Sequence, residues 1–200
     1  MRQRHDVVLV RHGQTAWSAS GRHTGRTDLP LTEFGIRQAE ALGAMVRTYD
    51  FAAVFASPLS RAWVTMERAG FGGVGIELPD LAEWDYGVYE GKTTLEIRGD
   101  IPGWSVWADE IIGGESVAMV GARADRVIDR VLAVDGPVAL FAHGHLLRVL
   151  AARWVGNPPA FGAALSLDPA TVSLLGWERE NRVIRTWNEV CHLRPLDPSP

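Results

Sequence analysis

Apolar residues fall along this chain in two patterns that alternate, short continuous runs and stripes of helical period. The run Val7-Val8-Leu9-Val10 leads into Arg11-His12-Gly13 and reads as a buried strand ending in a tight turn. Residues 12–31 hold scattered Gly, Ser, Thr and Pro with no period, and an aperiodic stretch of that length points to a functional loop. Thr32 then caps a helix to about Tyr49, with Ile36, Ala39, Leu42, Gly43 and Val46 on one face. Ala52 to Ala56 reads as a strand, Ser57-Pro58 as a break and Leu59 to about Ala69 as a helix. The glycine-rich connector Gly70 to Gly75 precedes a short strand, Ile76 to Leu78, and an irregular segment rich in acids and aromatics, Pro79 to Gly91. Ser116 caps a helix to about Val134 whose face carries Val117, Val120, Ala124, Val127, Val131 and Val134. Val138 to Ala142 is a further buried strand, again followed by His-Gly and a helix, His145 to Val155. Thr171 to Trp177 and Val183 to Trp187 are two last strands, parted by the turn-prone Arg179-Glu180-Asn181, and residues 195–200 read as a frayed tail.

Strands alternating with helices predict an α/β fold, a three-layer α/β/α sandwich around a mostly parallel central sheet. With 200 residues and no repeat or linker, one domain spanning residues 1–200 is expected. A net charge of -4 gives no global attraction to nucleic acid or anionic lipid, so an anion site must be built locally. No apolar run approaches the roughly 18 residues that cross a bilayer. The polar start Met1-Arg2-Gln3-Arg4-His5-Asp6 lacks a signal-peptide core, and the lone Cys191 excludes an internal disulfide framework. These features fit a cytoplasmic protein without membrane or nucleic-acid partners; a homo-oligomer is left open.

The candidate chemistry gathers where three strands end, since ligands of open α/β sheets bind beyond the carboxyl ends of their strands. Arg11-His12-Gly13 follows the first strand, Ser57 through Arg61 the second, and His143-Gly144-His145 the Val138 run. Arginine fits phosphate oxygens through paired charge-assisted hydrogen bonds, and glycine lets the backbone approach an anion. A neutral imidazole can attack phosphorus, and neighbouring arginines favour the neutral form while stabilising charge on the transferring group. Glu83, in Glu83-Trp84-Asp85-Tyr86, is the candidate proton donor to the leaving oxygen. Singly, each residue is ordinary: a strand-end histidine is most often structural, Arg61 a solvated helix residue, Glu83 a surface carboxylate. His-Gly-His lacks metal-ligand spacing and a carboxylate partner, so neither metal nor cofactor is expected.

Together, Arg11-His12-Gly13-Gln14-Thr15, Thr24-Gly25, Ser57-Pro58-Leu59-Ser60-Arg61-Ala62, Glu83 to Gly91 and Ala142-His143-Gly144-His145 resemble the histidine phosphatase superfamily across nearly the whole chain. That group includes cofactor-dependent phosphoglycerate mutases and many phosphatases. The resemblance implies a phosphoglycerate mutase-like fold and a phosphorylated His12. It implies a phosphate pocket of Arg11, Arg61 and His143, with Glu83 donating and later accepting the proton. Gln14, Ser18, Thr24, Gly25, Tyr86 and Gly144 are then expected to contact substrate.

A mutase needs extra basic residues for its bisphosphorylated intermediate. Here Trp84 stands where mutases carry an arginine after the catalytic glutamate, Ser18 replaces their asparagine, and their paired arginines have no clear counterpart between Thr94 and Ser116. The segments 21–32, 83–91 and 113–116 resemble a phosphatase branch that includes bacterial acid phosphatases and fungal sedoheptulose-bisphosphatases. The expected activity is therefore metal-independent hydrolysis of a small phosphorylated metabolite, a sugar phosphate or bisphosphate. Phosphoglycerate mutation is the alternative within catalysis, and a non-catalytic phosphate-binding module the alternative outside it. Trp84, Tyr86, Trp104 and Trp107 are candidate pocket walls, with core packing at least as good a reading for Trp104 and Trp107. Arg22, Arg26 and Lys92 are candidates for a second phosphate, against a plainer reading as solvated surface.

Overall fold

The alternation expected of a sheet covered on both faces is visible within the first strand of the computed structural model, which describes residues 4–196. Val7 and Leu9 point into one apolar cluster, and Val8 and Val10 into another on the opposite face. In chain order the main elements are β1 (Val7–Arg11), α1 (Ala16–Ala19), α2 (Glu33–Val46), β2 (Ala53–Ala56), α3 (Ser60–Met66), β3 (Gly75–Glu77), α4 (Thr94–Asp100), α5 (Val117–Leu132), β4 (Val138–Ala142), α6 (Gly144–Trp154), β5 (Val172–Glu178) and β6 (Asn181–Glu189). The six strands lie in the order β3-β2-β4-β1-β5-β6. The first four of that order run parallel, whereas β5 is antiparallel to β1 and β6 to β5. The sheet is mixed and mostly parallel, and the architecture is α/β.

The two faces have separate cores. Helices α5 and α6 pack Val120, Val127, Leu146 and Leu150 against Val7, Leu9, Phe55, Val138 and Leu140. Helices α2 and α3 pack Leu42, Val46 and Met66 against Val8, Val10, Val54, Ala139 and Phe141. Both neighbours of β1 and β4 are strands, so no backbone edge is open there and the runs can be continuously apolar. Of the stripe predicted for α5, Val120, Ala124, Val127 and Val131 are buried, with Gly121 and Ile128 between them, whereas Val117 is half-buried and Val134 lies past the helix end at Leu132.

The elements depart from the sequence reading in several places. Helix α2 stops at Val46, short of Tyr49, and α3 stops at Met66, continuing as a widened turn over Glu67–Phe71 in which Gly70 takes φ 100. Two short helices were not anticipated, α1 and α4, and each is closed by a reciprocal capping box, Thr15 with Ser18 and Thr93 with Glu96. The last two strands form an antiparallel hairpin added beside β1. Of the expected tail, Pro195 and Leu196 finish a short turn of helix, Cys191–Leu196, and residues 197–200 lie outside the described residues.

Candidate active site

The two histidines flagged by the sequence are brought together by the sheet. β1 and β4 are parallel neighbours with Arg11 opposite Ala142, so His12 and His143 leave the same edge one position later. Their ring centroids are 5.1 Å apart. The backbone of His12 is held on both sides: its N–H donates to the Ala142 carbonyl (3.0 Å) and its carbonyl accepts from the Ala170 N–H (3.0 Å). The ring Nδ1 lies 2.7 Å from the Gly13 carbonyl oxygen. A carbonyl can only accept, so Nδ1 carries the proton and Nε2 presents a lone pair. Burial, with Arg11 and Arg61 adding repulsion, holds the His12 pKa well below that of an ordinary histidine, so the ring is neutral at pH 7. Gly13 itself abuts α2: a Cβ there would meet the Gly35 carbonyl oxygen at 2.4 Å.

Glu83 is clamped by main chain. Oε1 accepts from the N–H groups of Trp84 (2.9 Å) and Leu146 (2.9 Å), and Oε2 from that of His145 (3.0 Å). Two of those donors belong to the first turn of α6, whose early N–H groups have no partner within the helix. The carboxylate therefore completes the helix start while the helix fixes the carboxylate. Gly144 makes room for Arg11, since a Cβ there would come within 3.2 Å of the guanidinium carbon. Arg11 donates from Nη1 to the Leu167 carbonyl, while its Nε is buried without a hydrogen-bond partner among the described residues.

Arg61 and His143 lie one layer deeper. The fully buried Arg61 donates from Nη1 to the Thr27 carbonyl (2.9 Å) and from Nη2 to those of Thr24 (3.1 Å) and Gly25 (2.9 Å). Its Nε reaches His143 Nδ1 at 3.2 Å, and His143 Nε2 pairs with the Ser57 hydroxyl at 2.7 Å. Gln14 is likewise a brace, its side-chain oxygen accepting from the Thr32 hydroxyl (3.0 Å), and Gly25 donates its N–H to Glu90 (2.8 Å). None of these four lines the cavity above His12, whereas Arg11, Ser18, Thr24, Glu83, Tyr86 and Gly144 do.

That cavity measures about 380 Å³, within the range of a small-metabolite site. Its walls are aromatic. The Tyr86 hydroxyl lies 2.7 Å from His145 Nδ1, and the His23 ring sits between Tyr86, tilted to it at 4.8 Å, and Trp104, edge-on at 5.5 Å. Burial lowers the His23 pKa to about 4, so that ring too is neutral. Trp104 and Trp107 line the space, but Trp84 does not. Its ring is fully buried, its indole N–H donates to the Glu115 carbonyl (2.7 Å), and Trp107 stands edge-on to it at 5.6 Å. Trp104 and Trp107 thus serve both as cavity wall and as core packing, whereas Trp84 is core alone.

The basic residues also redistribute. Lys92 is exposed and outside the cavity, and Arg26 is 80% exposed and pairs with Asp85 at 2.7 Å. Arg22 does line the cavity, held by the Gly91 carbonyl (2.6 Å) and Glu96 (3.2 Å). Among the lining residues the sequence reading does not single out are His23, Arg98 and Arg148. Arg148 had a usable signal, three positions after His145 and so on the same helical face. Among the described residues no three His, Cys, Asp or Glu side chains gather as a metal site, and no helix is long and apolar enough to cross a membrane.

Residues 7–190 match the family described as the histidine phosphatase superfamily (branch 1). The chain belongs to that superfamily. An acid phosphatase of Mycobacterium tuberculosis is 39% identical over 196 residues, covering 96% of each chain. A sedoheptulose 1,7-bisphosphatase of Saccharomyces cerevisiae is 38% identical over 184 residues, covering 74% of this chain and 67% of its own. A solved structure of an open reading frame product from Mycobacterium tuberculosis superposes with a TM-score of 0.88 at 38% identity, covering 93% of this chain and 98% of that one. As a histidine phosphatase with phosphatase relatives, this enzyme is a phosphoric monoester hydrolase.

Proposed function

We propose that this histidine phosphatase hydrolyses small phosphorylated metabolites, sugar phosphates and bisphosphates foremost, through a phosphohistidine formed on His12. The observation that carries the reading is the His12 ring. Its proton is committed to the Gly13 carbonyl, its Nε2 is free to attack, and the buried, unpartnered Nε of Arg11 lies in the same pocket as Glu83. A buried donor without an acceptor is costly unless a ligand supplies one, and a phosphoryl oxygen does so with a charge-assisted bond.

In this scheme Nε2 attacks phosphorus as the ester P–O bond breaks, and Glu83 gives its proton to the departing alkoxide. Water then attacks the phosphohistidine, losing its proton to Glu83, and phosphate leaves with His12 neutral again. Arg11 neutralises the transferring oxygens directly. Arg61 and His143 act from behind as fixed charge and brace, and Arg61 holds Thr24 and Gly25 at the rim. Gln14 braces the first loop, Ser18 and Tyr86 line the substrate space, and Gly144 lets Arg11 approach. Two arginines supply the charge neutralisation that a metal provides in other phosphatases, so turnover without metal is expected. The lone Cys191 supports a cytoplasmic setting.

The test is rapid quenching of the enzyme mixed with radiolabelled phosphomonoester. An acid-labile, alkali-stable phosphoenzyme is expected with the native chain and none with His12→Ala, whose phosphate release should fall by roughly 10⁴-fold. Undiminished release from His12→Ala eliminates the nucleophile. With 3-phosphoglycerate and 2,3-bisphosphoglycerate, release of inorganic phosphate is expected; isomerisation without release would replace hydrolysis by mutation.

A further inference from the structure

Arg148 is a half-buried cation with no ion pair among the described residues. Its guanidinium stacks on Trp107, 4.6 Å from the ring centroid, and is fixed by the Gly162 carbonyl through Nε (3.0 Å) and the Ala163 carbonyl through Nη2 (3.4 Å). Its Nη1 has no protein acceptor among the described residues, and no carboxylate pairs with it. Arg98, on α4, is exposed, with its Nε tied to the Trp104 carbonyl (2.8 Å) and, like Arg148, no ion pair among the described residues. Both line the cavity above His12.

The charge of that cavity is one-sided. Its lining carries Arg11, Arg22, Arg98 and Arg148 against a single carboxylate, Glu83, which already accepts three backbone N–H groups. This occurs in a chain whose net charge is -4. Arg22 is partly offset by Glu96, and Arg11 is accounted for by the scissile phosphoryl group. Arg148 and Arg98 remain. Burial lowers the Arg148 pKa; Glu83 and Tyr86 offset part of this and Arg11 adds a smaller repulsion, so a second anion beside Arg148 would stabilise its charge. A guanidinium immobilised by stacking and by two carbonyls has its remaining N–H groups pre-aimed, the arrangement that suits a phosphate or carboxylate.

We infer that Arg148, assisted by Arg98, forms a second anion subsite, so that the preferred substrates are phosphomonoesters bearing another phosphate or a carboxylate away from the scissile group. The inference rests on the reading above that Arg11 and His12 hold the phosphoryl group being transferred. It moves the second subsite from Arg26 and Lys92, which face solvent, to the wall formed by α4, Trp107 and α6.

The experiment uses matched substrate pairs: fructose 1,6-bisphosphate against fructose 6-phosphate for a second phosphate, and 3-phosphoglycerate against glycerol 3-phosphate for a carboxylate. The native enzyme should prefer the doubly anionic member of at least one pair by about tenfold in kcat/KM, and the pair that shows it identifies the group. Arg148→Gln should collapse that ratio to about twofold or less, mainly through KM, with Arg148→Lys intermediate and Arg98→Gln giving a smaller drop. No preference in either pair, or a ratio unchanged in Arg148→Gln, overturns the inference. If Arg148→Gln does not fold, Arg148→Lys and Arg98→Gln decide by the same ratio. Should no substrate be turned over, the His12 reading fails separately, and calorimetric binding of the same pairs then decides. A preference lost in the Arg148 variant supports the subsite, and equal affinities overturn it.

Discussion

At the floor of the cavity His12, Glu83 and Gly144 are positioned by main chain, through the ends of β1 and β4 and the first turn of α6. The cover over residues 93–107 is held differently. Helix α4 is seven residues closed by one capping box, and beyond it the side chains are fixed by ring contacts and by Arg98 on the Trp104 carbonyl. Leu95 on α4 is 82% exposed, so the helix covers the site while burying one thin face. The floor has the rigidity that in-line displacement requires, and the cover supplies the shape and charge that select what is displaced.

Breaking the floor should have the largest effect. Glu83→Gln is expected to slow alkyl phosphate hydrolysis by about 10²–10³-fold and aryl phosphate hydrolysis far less, because a phenolate leaves without a proton. Equal losses for both would remove Glu83 from the acid role. In the cover, Trp107→Ala should raise KM by about tenfold while kcat stays within about threefold. A fall in kcat matching that of Glu83→Gln would erase the distinction between floor and cover.

The next contrast is in pH. His23, His143 and His145 all have lowered pKa values through burial first, with His23 near 4. Such groups stay neutral in the fold while the unfolded chain takes up protons near pH 6.5, so stability falls as pH drops from about 6.5. For His23 the loss is complete near pH 4 and amounts to about 3 kcal/mol. Urea midpoints should therefore fall less between pH 6.5 and 4.5 in His23→Phe than in the native chain; identical falls would show that His23 titrates normally. The lowered pKa of His12 has the same sign in catalysis, placing the acid limb of kcat/KM below pH 6.5. The smallest expected effect is none: activity measured after dialysis against EDTA should be unchanged, and restoration by added metal would reopen a two-histidine metal role.

The floor was legible in the sequence because its residues directly follow runs that can only be central strands. Arg11-His12 after Val7–Val10 and His143-Gly144 after Val138–Ala142 are placed by the register once the sheet is recognised. The cover was not, since α4 lacks a long apolar stripe and buries Ile97 alone. Its one local signal was the capping box Thr93-Thr94-Leu95-Glu96. Trp84 was misassigned for a related reason. Nearness in sequence to Glu83 drew Trp84 toward the pocket, but contacts to Glu115 and Trp107, both distant along the chain, turn its ring into the core. Arg61 shows the reverse case, a residue rightly singled out whose guanidinium meets the carbonyls of a loop that has no periodic pattern.

The 5.1 Å between the rings of His12 and His143 is close to the ~4.8 Å by which hydrogen-bonded strands are separated. The strand register places the two main chains side by side, and the rotamers of the two histidines then set the distance between their rings. Core residues such as Leu9, Phe55 or Leu140 can therefore change among apolar types while the strand pairing that brings the two histidines to one edge is kept.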